Sequence, residues 1–414
     1  MAPKKQNIAV IGAGIVGLCT AKRLQDLGFS VTLFDPAGIA QRCSKGNAGH
    51  FASEQVFPLA SAKLLPKLPS MLLNPLGPLR IDWRYALKML PWFFNFLLNM
   101  RPTPFKKHTQ ALRALNESAL AAYQELLADC DYGSLITKNG SLLTFETSSA
   151  EQVEKTYLAF KAQGVSVEWL KGKEIQALEP TLSDNVNHAL LFCDVGHSSD
   201  PHALCLHIYQ CFAQSGGMFA RTHITEVTPQ STQVTLLTDK GEHLTFDKIV
   251  LCTGAWSKAL AKQLGFKVPL DTERGYHAML NTHGALSRPV ASAERQFIIT
   301  PMQSGLRLAG TVEFAGLDAP ERKERATMLL AHAQQLVQGL EQNQVTQTWM
   351  GCRPSLPDSL PVICQSPKHD SILFAFGHQH LGLTQAAITA KLVGQLCMGE
   401  QPDLDLTPYR IDRF

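Results

Sequence analysis

The stretch NIAVIGAGIVGLCTAKRLQDLGFSVTLFDP, residues 7–36, decides the fold. Residues 8–11 and 31–34 are apolar and predict two buried strands, and between them apolar side chains recur at the spacing of a helix. Gly28 is the residue type that ends such a helix, because glycine tolerates the left-handed conformation that follows the last turn. Strand, helix and strand in this order predict a β-α-β unit.

Three glycines and one acid in this unit indicate a dinucleotide site. In Gly12-x-Gly14-x-x-Gly17, the first glycine allows a tight turn, the second lets backbone approach a pyrophosphate, and the third lets helix and strand pack closely. The helix N-terminus attracts phosphates. Asp35, at the end of the second strand, is placed to accept hydrogen bonds from an adenosine ribose. The alternative, a glycine turn without a ligand, is disfavoured by the strand, the helix and Asp35 around it.

A second strand and turn favour FAD over a nicotinamide cofactor. Residues 249–252 predict a buried strand that runs into the turn Thr253-Gly254-Ala255 and then a helix. A hairpin whose turn is 239–241 precedes this strand. A first unit at the N-terminus of a long chain, with a second such turn near residue 253, resembles the layout of flavoproteins with two dinucleotide folds, so we expect FAD.

Composition and charge exclude several classes of function. The chain has 414 residues, of which 45% are hydrophobic and 18% charged, which suits a well-cored folded protein. The net charge is +3 and no dense Lys/Arg run occurs, so we expect a small-molecule substrate and no nucleic acid. Ten cysteines without a C-x-x-C pair are expected to be reduced thiols, and no metal site is predicted. The N-terminus shows no signal-peptide pattern, so we expect a cytoplasmic protein.

One apolar segment, WRYALKMLPWFFNFLLNM (83–100), needs a separate explanation. Its uninterrupted apolar run is too short to span a bilayer, and it contains Pro91 and Asn95. The favoured interpretation is a helix that packs in the core or between domains. The alternative is a patch that contacts a membrane surface or a partner.

Residues 44–51, SKGNAGHF, follow the second strand by a short loop and are rich in small side chains. Ser44, Ala48 and Gly49 let the backbone run flush against a flat ring, and Asn47 and His50 offer hydrogen-bond donors. An ordinary surface loop is the alternative.

The segment GHQHLGLTQAAITAKLVGQL, residues 377–396, predicts a loop followed by an apolar helix. The N-terminus of that helix is suited to stabilise negative charge on a reduced flavin. A metal held by His378 and His380 is the alternative, but two positions apart is a poor ligand spacing and no acid or cysteine accompanies them.

Arg353 stands in the stretch GCRPSLPDSLPVI, residues 351–363, among three prolines. Proline fixes φ and removes a backbone donor, so this stretch should be rigid and extended rather than helical. A planar guanidinium held in such a frame makes a bidentate pair with a carboxylate that lysine does not reproduce. The alternative is a structural salt bridge to Asp358.

These motifs together resemble a known family. In chain order, GAGIVG with Asp35, SKGNAGHF, LEP (178–180), CTGAW (252–256), RGYHAML (274–280), GTVEFAG (310–316), GCRPSLPDSLPVI and GHQHLGLT cover the chain from end to end. The set resembles the FAD-dependent D-amino-acid oxidase and dehydrogenase family, and within it the bacterial D-amino-acid and D-hydroxyproline dehydrogenases. The resemblance implies an α/β protein with a Rossmann-like FAD-binding domain and an α+β substrate domain whose mixed sheet lies over the flavin.

The resemblance also implies roles for individual residues. Arg353 would hold the substrate carboxylate, His50 would line the substrate site, and the Tyr276 hydroxyl would lie near the carboxylate or amine; a plain strand aromatic is the alternative for Tyr276. The expected FAD contacts are Gly12, Gly14, Ile15, Val16, Gly17, Asp35, Ser44, Asn47, Ala48, Gly49, Ile224, Thr253, Gly254, Gly377, His378, Leu381, Gly382, Leu383 and Thr384. His50 and the pair Gln379-His380 depart from the family pattern, so they leave the choice of substrate open.

The expected domains are discontinuous. Residues 1–80, 146–266 and 348–414 would form the FAD-binding domain, and 81–145 with 267–347 the substrate domain. In the latter, residues 318–342 predict one amphipathic helix with a charged start.

The expected reaction is oxidative deamination of a D-amino acid or a cyclic D-imino acid by hydride transfer to flavin N5. Electrons would pass to a quinone or another carrier, and residues 83–100 offer a possible contact with the inner membrane. Two alternatives stay open: an oxygen-using oxidase of the glycine or sarcosine oxidase kind, and a non-catalytic FAD subunit of a larger complex.

Overall fold

The computed structural model describes residues 5–67, 69, 71, 74 and 77–414. Within these residues the strands, in chain order, are β1 Asn7–Ile11, β2 Ser30–Phe34, β3 His50–Phe51, β4 Leu79–Ile81, β5 Ser141–Phe145, β6 Val167–Lys171, β7 His188–Phe192, β8 Gly196–His197, β9 Met218–Ala220, β10 Ile224–Pro229, β11 Val234–Thr238, β12 His243–Phe246, β13 Lys248–Leu251, β14 Asp271–Leu280, β15 Val290–Ser292, β16 Phe297–Met302, β17 Gly305–Phe314, β18 Val345–Ser355, β19 Val362–Gln365 and β20 Ile372–Phe376. The helices are α1 Ile15–Asp26, α2 Trp83–Asn99, α3 Pro102–Glu117, α4 Ala119–Leu126, α5 Ala150–Ala162, α6 Lys173–Leu178, α7 Pro201–Gln214, α8 Ser257–Gln263, α9 Glu324–Thr327, α10 Leu329–Leu336 and α11 Gly382–Met398.

A six-stranded sheet forms the predicted dinucleotide unit. Its strand order is β19-β20-β13-β1-β2-β9, and all neighbours are parallel except the edge pair of β19 and β20. Helices α1, α7 and α11 pack their apolar side chains into one core with this sheet. The β-α-β unit at the N-terminus is confirmed, and Gly28 has the left-handed φ of +89° expected after a helix.

The parallel strands bring four predicted site residues to one edge of this sheet. Gly12, Asp35, Thr253 and Gly377 follow, directly or within one residue, the carboxyl ends of β1, β2, β13 and β20, which are adjacent in the order β20-β13-β1-β2. The carboxyl edge of a parallel sheet is where such folds bind ligands. These residues therefore meet although they are up to 365 positions apart in the chain.

A second, mixed sheet of nine strands lies beyond this edge. Its order is β18-β14-β17-β16-β15-β5-β7-β6, with β4 paired to β17. Helices α9 and α10 cover one face with a core that includes Tyr276, Leu308 and Leu329. The predicted class, a Rossmann-like parallel sheet combined with a mixed sheet, is confirmed.

The predicted domain boundaries fall inside the mixed sheet. β5 pairs with β7 over its whole length, and β7 pairs with β6, although residues 146–266 were expected in the FAD-binding domain. β18, which carries Arg353, pairs with β14 in the same sheet. We therefore propose that β6, β7 and β18 group with the substrate domain, because sheet hydrogen bonds tie them to its strands.

The single helix predicted over 318–342 is wrong in extent. Only α9 and α10 are helical there. The Arg274 guanidinium donates hydrogen bonds to the carbonyls of Ala319 and Pro320, at 2.8 and 3.1 Å. These bonds hold the start of the segment in a bent, non-helical path, and Pro320 lacks the backbone donor that a helix interior needs.

Helix α2 is buried on one face and exposed on the other. Met89 and Trp92 pack against Phe314, which confirms the packing interpretation for that face. The other face exposes five large apolar side chains at helical spacing: Trp83, Leu87, Leu90, Phe94 and Leu97. Among the helices within the described residues, none is long and apolar enough to cross a bilayer.

Candidate active site

A cavity of about 980 Å³ lies at the carboxyl edge of the six-stranded sheet and extends to the mixed sheet. The predicted residues that line it are Gly12, Gly14, Ile15, Val16, Asp35, Ser44, Asn47, Ala48, His50, Ile224, Thr253, Gly254, Tyr276, Arg353, Gly377, His378, Gly382 and Leu383. Gly17, Gly49, Leu381 and Thr384 are not among the lining residues. Its volume is at the upper end for small-molecule pockets, which suits a large cofactor together with a small substrate.

The glycine turn has the close contacts that a dinucleotide site requires. Gly12 has a φ of +107°, and a Cβ there would lie 2.7 Å from the Cys252 carbonyl carbon. A Cβ at Gly17 would overlap the Gly12 carbonyl, so this glycine sets the close approach of α1 to the turn. The backbone can therefore pass close to a phosphate, as the sequence predicts.

Asp35 is fixed in the position expected for a ribose-binding acid. One carboxylate oxygen accepts from Ala13 N at 2.9 Å and the other from Ala37 N at 2.8 Å. Each carboxylate oxygen has a further lone pair for a hydroxyl donor. Together with the open glycine turn, this arrangement fits the adenosine half of FAD.

The 44–51 segment runs between the two sheets. Ser44 Oγ accepts from Ile15 N, the first amide of α1, at 2.9 Å. Gly46 lies flat against the ring of Trp349, which a Cβ at this position would overlap. Its carbonyl also lies 3.0 Å from His277 Nδ1, and the His277 ring stacks on Trp349 at 5.1 Å. The absence of a side chain at Gly46 thus lets the segment seat closely against the mixed sheet.

Arg353 extends from β18 into the cavity, in the extended backbone that its prolines predict. Its guanidinium lies directly over Gly275 of β14. Burial lowers the pKa of Arg353, and the charge of Glu273, its neighbour across the strand pair, partly offsets this. Asp358, the alternative partner, instead lies 2.8 Å from Arg413 Nε. Asp358 therefore does not engage the Arg353 guanidinium, which faces the cavity.

The structure favours the strand-aromatic alternative for Tyr276, although this residue is among those that line the cavity. Its hydroxyl donates a 2.6 Å hydrogen bond to Glu313, and its ring is 2% exposed within the core under α9 and α10. Neighbouring strand residues point to opposite faces of a sheet. Since the Arg353 head lies over Gly275, the Tyr276 ring lies on the other face, as the strand-aromatic alternative requires.

His50 forms a buried pair with Glu54 in the same cavity. Their Nε2 and Oε1 atoms are 3.5 Å apart, and the side chains are 12% and 3% exposed. Burial lowers the pKa of His50 to about 4 and raises the pKa of Glu54 to about 7. The second oxygen of Glu54 is buried and has no hydrogen-bond partner among the described residues. A neutral histidine beside a half-protonated carboxyl group is suited to exchanging a proton.

The 377–384 segment, which leads into α11, contributes backbone atoms and the His380 side chain to the cavity. Gly377 and Gln379 have left-handed φ values of +84° and +50°. His378 Nε2 lies 2.9 Å from Thr389 Oγ1, within α11. Burial, and after it the charge of Arg353, lowers the pKa of His380 to about 4. His380 is therefore a neutral neighbour of Arg353 in the cavity.

Sequence reasoning missed Glu54 in the cavity and the stack of His277 on the cavity residue Trp349. It singled out His380, but not its position beside Arg353. The signal for His277 was present, because it lies two positions after Gly275 and so on the same strand face. Nothing in the sequence singled out Glu54, since its significance depends on burial.

Comparisons with known proteins identify the family of the chain. A family model described as FAD dependent oxidoreductase matches residues 7–396. A D-amino-acid oxidase of Bradyrhizobium diazoefficiens is 34% identical over 420 residues, covering 100% of both chains. A D-amino acid dehydrogenase of Vibrio vulnificus is 27% identical over 414 residues, covering 97% of this chain and 99% of the relative. The crystal structure of glycine oxidase from Geobacillus kaustophilus aligns with a TM-score of 0.76 at 20% identity, covering 99% and 100% of the two chains.

Proposed function

The chain belongs to the FAD-dependent oxidoreductase family of D-amino-acid oxidases and dehydrogenases, and we propose that its substrates are D-amino acids or cyclic D-imino acids of the proline and hydroxyproline type. FAD is its cofactor, and amino-acid oxidation is its class of reaction. The preference for D-substrates rests on the names of the relatives that match the whole chain.

The placement of Arg353 is the observation that carries the proposal. A desolvated guanidinium in a cavity attracts a carboxylate strongly, because the pair is poorly screened there. Its planar fork binds the two carboxylate oxygens at once and so orients the substrate Cα. FAD, when bound, would supply the acceptor for the hydride of that Cα; water would then hydrolyse the imino acid from a primary D-amino acid to a 2-oxo acid and ammonia, whereas a cyclic D-imino acid would give a ring imine.

We propose that Glu54 is the base that removes a proton from the ammonium group of the substrate. Hydride loss from Cα needs the lone pair of a neutral amine, so the ammonium must first lose a proton. Glu54 lines the cavity with one oxygen that has no hydrogen-bond partner among the described residues, and its pKa of about 7 suits a general base at neutral pH. His50, at 3.5 Å, is a neutral neighbour of Glu54, because burial lowers the pKa of His50 to about 4.

We further propose that a cytoplasmic enzyme of this kind docks on an anionic membrane surface and passes electrons to a quinone. The exposed stripe of α2 provides the apolar contact: Trp83 and Leu87 are 78% and 79% exposed. Residues 83–116 contain six Lys or Arg and no Asp or Glu. An apolar stripe with basic residues around it is typical of helices that lie in the bilayer interface. Helix α2 also packs beside β18, since Trp92 Nε1 donates to the Ser355 carbonyl at 3.4 Å.

An oxygen-using oxidase is the second candidate. The observation that favours it is the 34% identity over the whole chain to a relative named D-amino-acid oxidase. Peroxide formed at the rate of substrate consumption would identify an oxidase. Reduction of a short-chain quinone without peroxide would identify a dehydrogenase.

The decisive experiment is anaerobic bleaching of the bound flavin by single substrates. The panel contains D- and L-amino acids, D-proline, the 4-hydroxyproline stereoisomers, glycine and N-methylglycine. We expect D-enantiomers or cyclic D-imino acids to bleach it and the L-enantiomers to leave it oxidised. Bleaching by N-methylglycine or an L-enantiomer alone would refute the substrate class, and a flavin that nothing bleaches would indicate a non-catalytic subunit.

A further inference from the structure

Three residues that the proposed function does not use, Cys130, His207 and Cys211, bring their side chains together away from the cavity. Their two sulfur atoms and a ring nitrogen all lie within 4.8 Å of one another. His207 and Cys211 are one turn apart on the same face of α7, and Cys130 lies in the turn after α4. Cys130 and Cys211 are 81 positions apart in the chain, so it is the fold that brings the three side chains together.

We propose that Cys130, His207 and Cys211 form a Zn²⁺ site in which solvent supplies the fourth ligand. The distance from His207 Nε2 to Cys211 Sγ is 3.7 Å. A tetrahedral zinc ion with Zn–S of about 2.3 Å and Zn–N of about 2.0 Å holds these two atoms about 3.5 Å apart. Two thiols and an imidazole are ligands that select zinc over magnesium or calcium. The pair on α7 is thus already at ligand spacing, and a small movement of the turn at Cys130 completes the site.

Zinc binding at this site depends on pH for a general reason. Zinc binds cysteine as the thiolate, so binding must displace the thiol protons of Cys130 and Cys211, and the apparent affinity rises with pH.

The site would join the two ends of a long excursion of the chain. The chain between Cys130 and Cys211 contains β5, β6 and β7 of the mixed sheet, whereas both ends of this stretch pack in the core of the dinucleotide unit. Because zinc binds the folded arrangement, it should raise the melting temperature.

The test uses the FAD-loaded enzyme, freed of metal with a chelator and kept reduced under anaerobic conditions. Zinc is titrated at two pH values, the zinc retained after desalting is measured by mass spectrometry, and cadmium is followed by its thiolate charge-transfer absorption. We expect one zinc per chain, a higher melting temperature with zinc, and tighter binding at the higher pH. Cys211→Ser and His207→Gln should weaken binding by more than the ~10–100-fold typical of losing a supporting partner outside the ligand set. FAD content and turnover should stay unchanged.

Cys193→Ser and His202→Gln are the matched controls. Cys193 is a partly exposed cysteine outside the cluster, and His202 lies on α7 but outside the cluster. Less than one zinc per chain in the wild type, or an equal loss in the controls, overturns the proposal. So does a Cys130–Cys211 disulfide mapped by mass spectrometry in the enzyme as purified, since those two sulfur atoms would then not be available as ligands.

Discussion

Replacing Gly275 by alanine should displace the carboxylate-binding group without removing any charge. An added Cβ would lie 2.6 Å from Arg353 Nε and closer still to its Cζ and Nη2. Ordinary contact between heavy atoms needs about 3.5–4.0 Å, so the guanidinium must move by roughly 1 Å. The obstructing atoms are the free end of a flexible side chain, so the fold yields cheaply. A misplacement of about 1 Å costs on the order of 10²-fold in rate, or about 2.7 kcal/mol.

The assay is steady-state kcat/KM for the best D-substrate with an artificial electron acceptor, together with FAD content and melting temperature. We expect kcat/KM to fall by about 10²-fold, mainly through KM, with FAD retained. The same change is then made in an Arg353→Ala background. If Gly275→Ala acts through Arg353, it should add nothing there.

Two results would refute this reasoning. Wild-type kcat/KM in Gly275→Ala would mean that the position of Arg353 does not matter for the substrate. An undiminished further loss in the Arg353→Ala background would mean that the alanine disturbs the cavity by another route.

Three further variants test neighbouring inferences. Tyr276→Phe removes a hydrogen bond to Glu313, so the free energy of unfolding in urea should fall by ~1.5–3 kcal/mol while KM stays constant; a large rise in KM would restore a substrate role. Burial raises the pKa of the Glu54 carboxyl group from 4.5 to about 7. Between these pH values the folded state keeps a proton on Glu54 that the unfolded state has lost, so the contribution of this proton to the free energy of unfolding is lost as pH rises through about 7. Glu54→Gln should remove a rise in kcat/KM centred near pH 7, and an unchanged pH profile would contradict the assigned base. Leu87→Glu should weaken binding to anionic vesicles more than the matched Leu158→Glu, whose side chain is 52% exposed on α5; equal effects would speak against docking through α2.

The dinucleotide unit was predictable because its signals are local. Strand and helix periodicity, the glycines and Gly28 lie within 30 residues. Parallel strands place their carboxyl ends at one edge of a sheet, so Gly12, Asp35 and Thr253 meet once β1, β2 and β13 lie in the same sheet. The β-α-β unit itself needed no long-range contact to be known.

The substrate end was less predictable because it depends on which strand face meets the cavity. Periodicity separates Tyr276 from His277 by face, but it does not say which face is lined by cofactor. The pairing of β14 with β18 decides this, because it sets the Arg353 head over Gly275. The expected role of Tyr276 therefore depends on sheet packing rather than on local structure.

A comparison of Glu313 with Glu54 shows why burial alone does not identify a carboxyl group that takes part in the reaction. Glu313 is fully buried, but Arg274 Nη1 and Arg322 Nε lie 3.3 and 3.1 Å from its oxygens, and Tyr276 donates to it. Its charge is compensated within the protein, and it holds the strands of the mixed sheet together. Glu54 is also buried but lines the cavity, and one of its oxygens has no hydrogen-bond partner in the part of the chain that the structure describes. An uncompensated carboxyl group costs stability unless a ligand completes it. A substrate that brings its carboxylate to Arg353 also brings an ammonium group, and that group supplies the charge which Glu54 lacks.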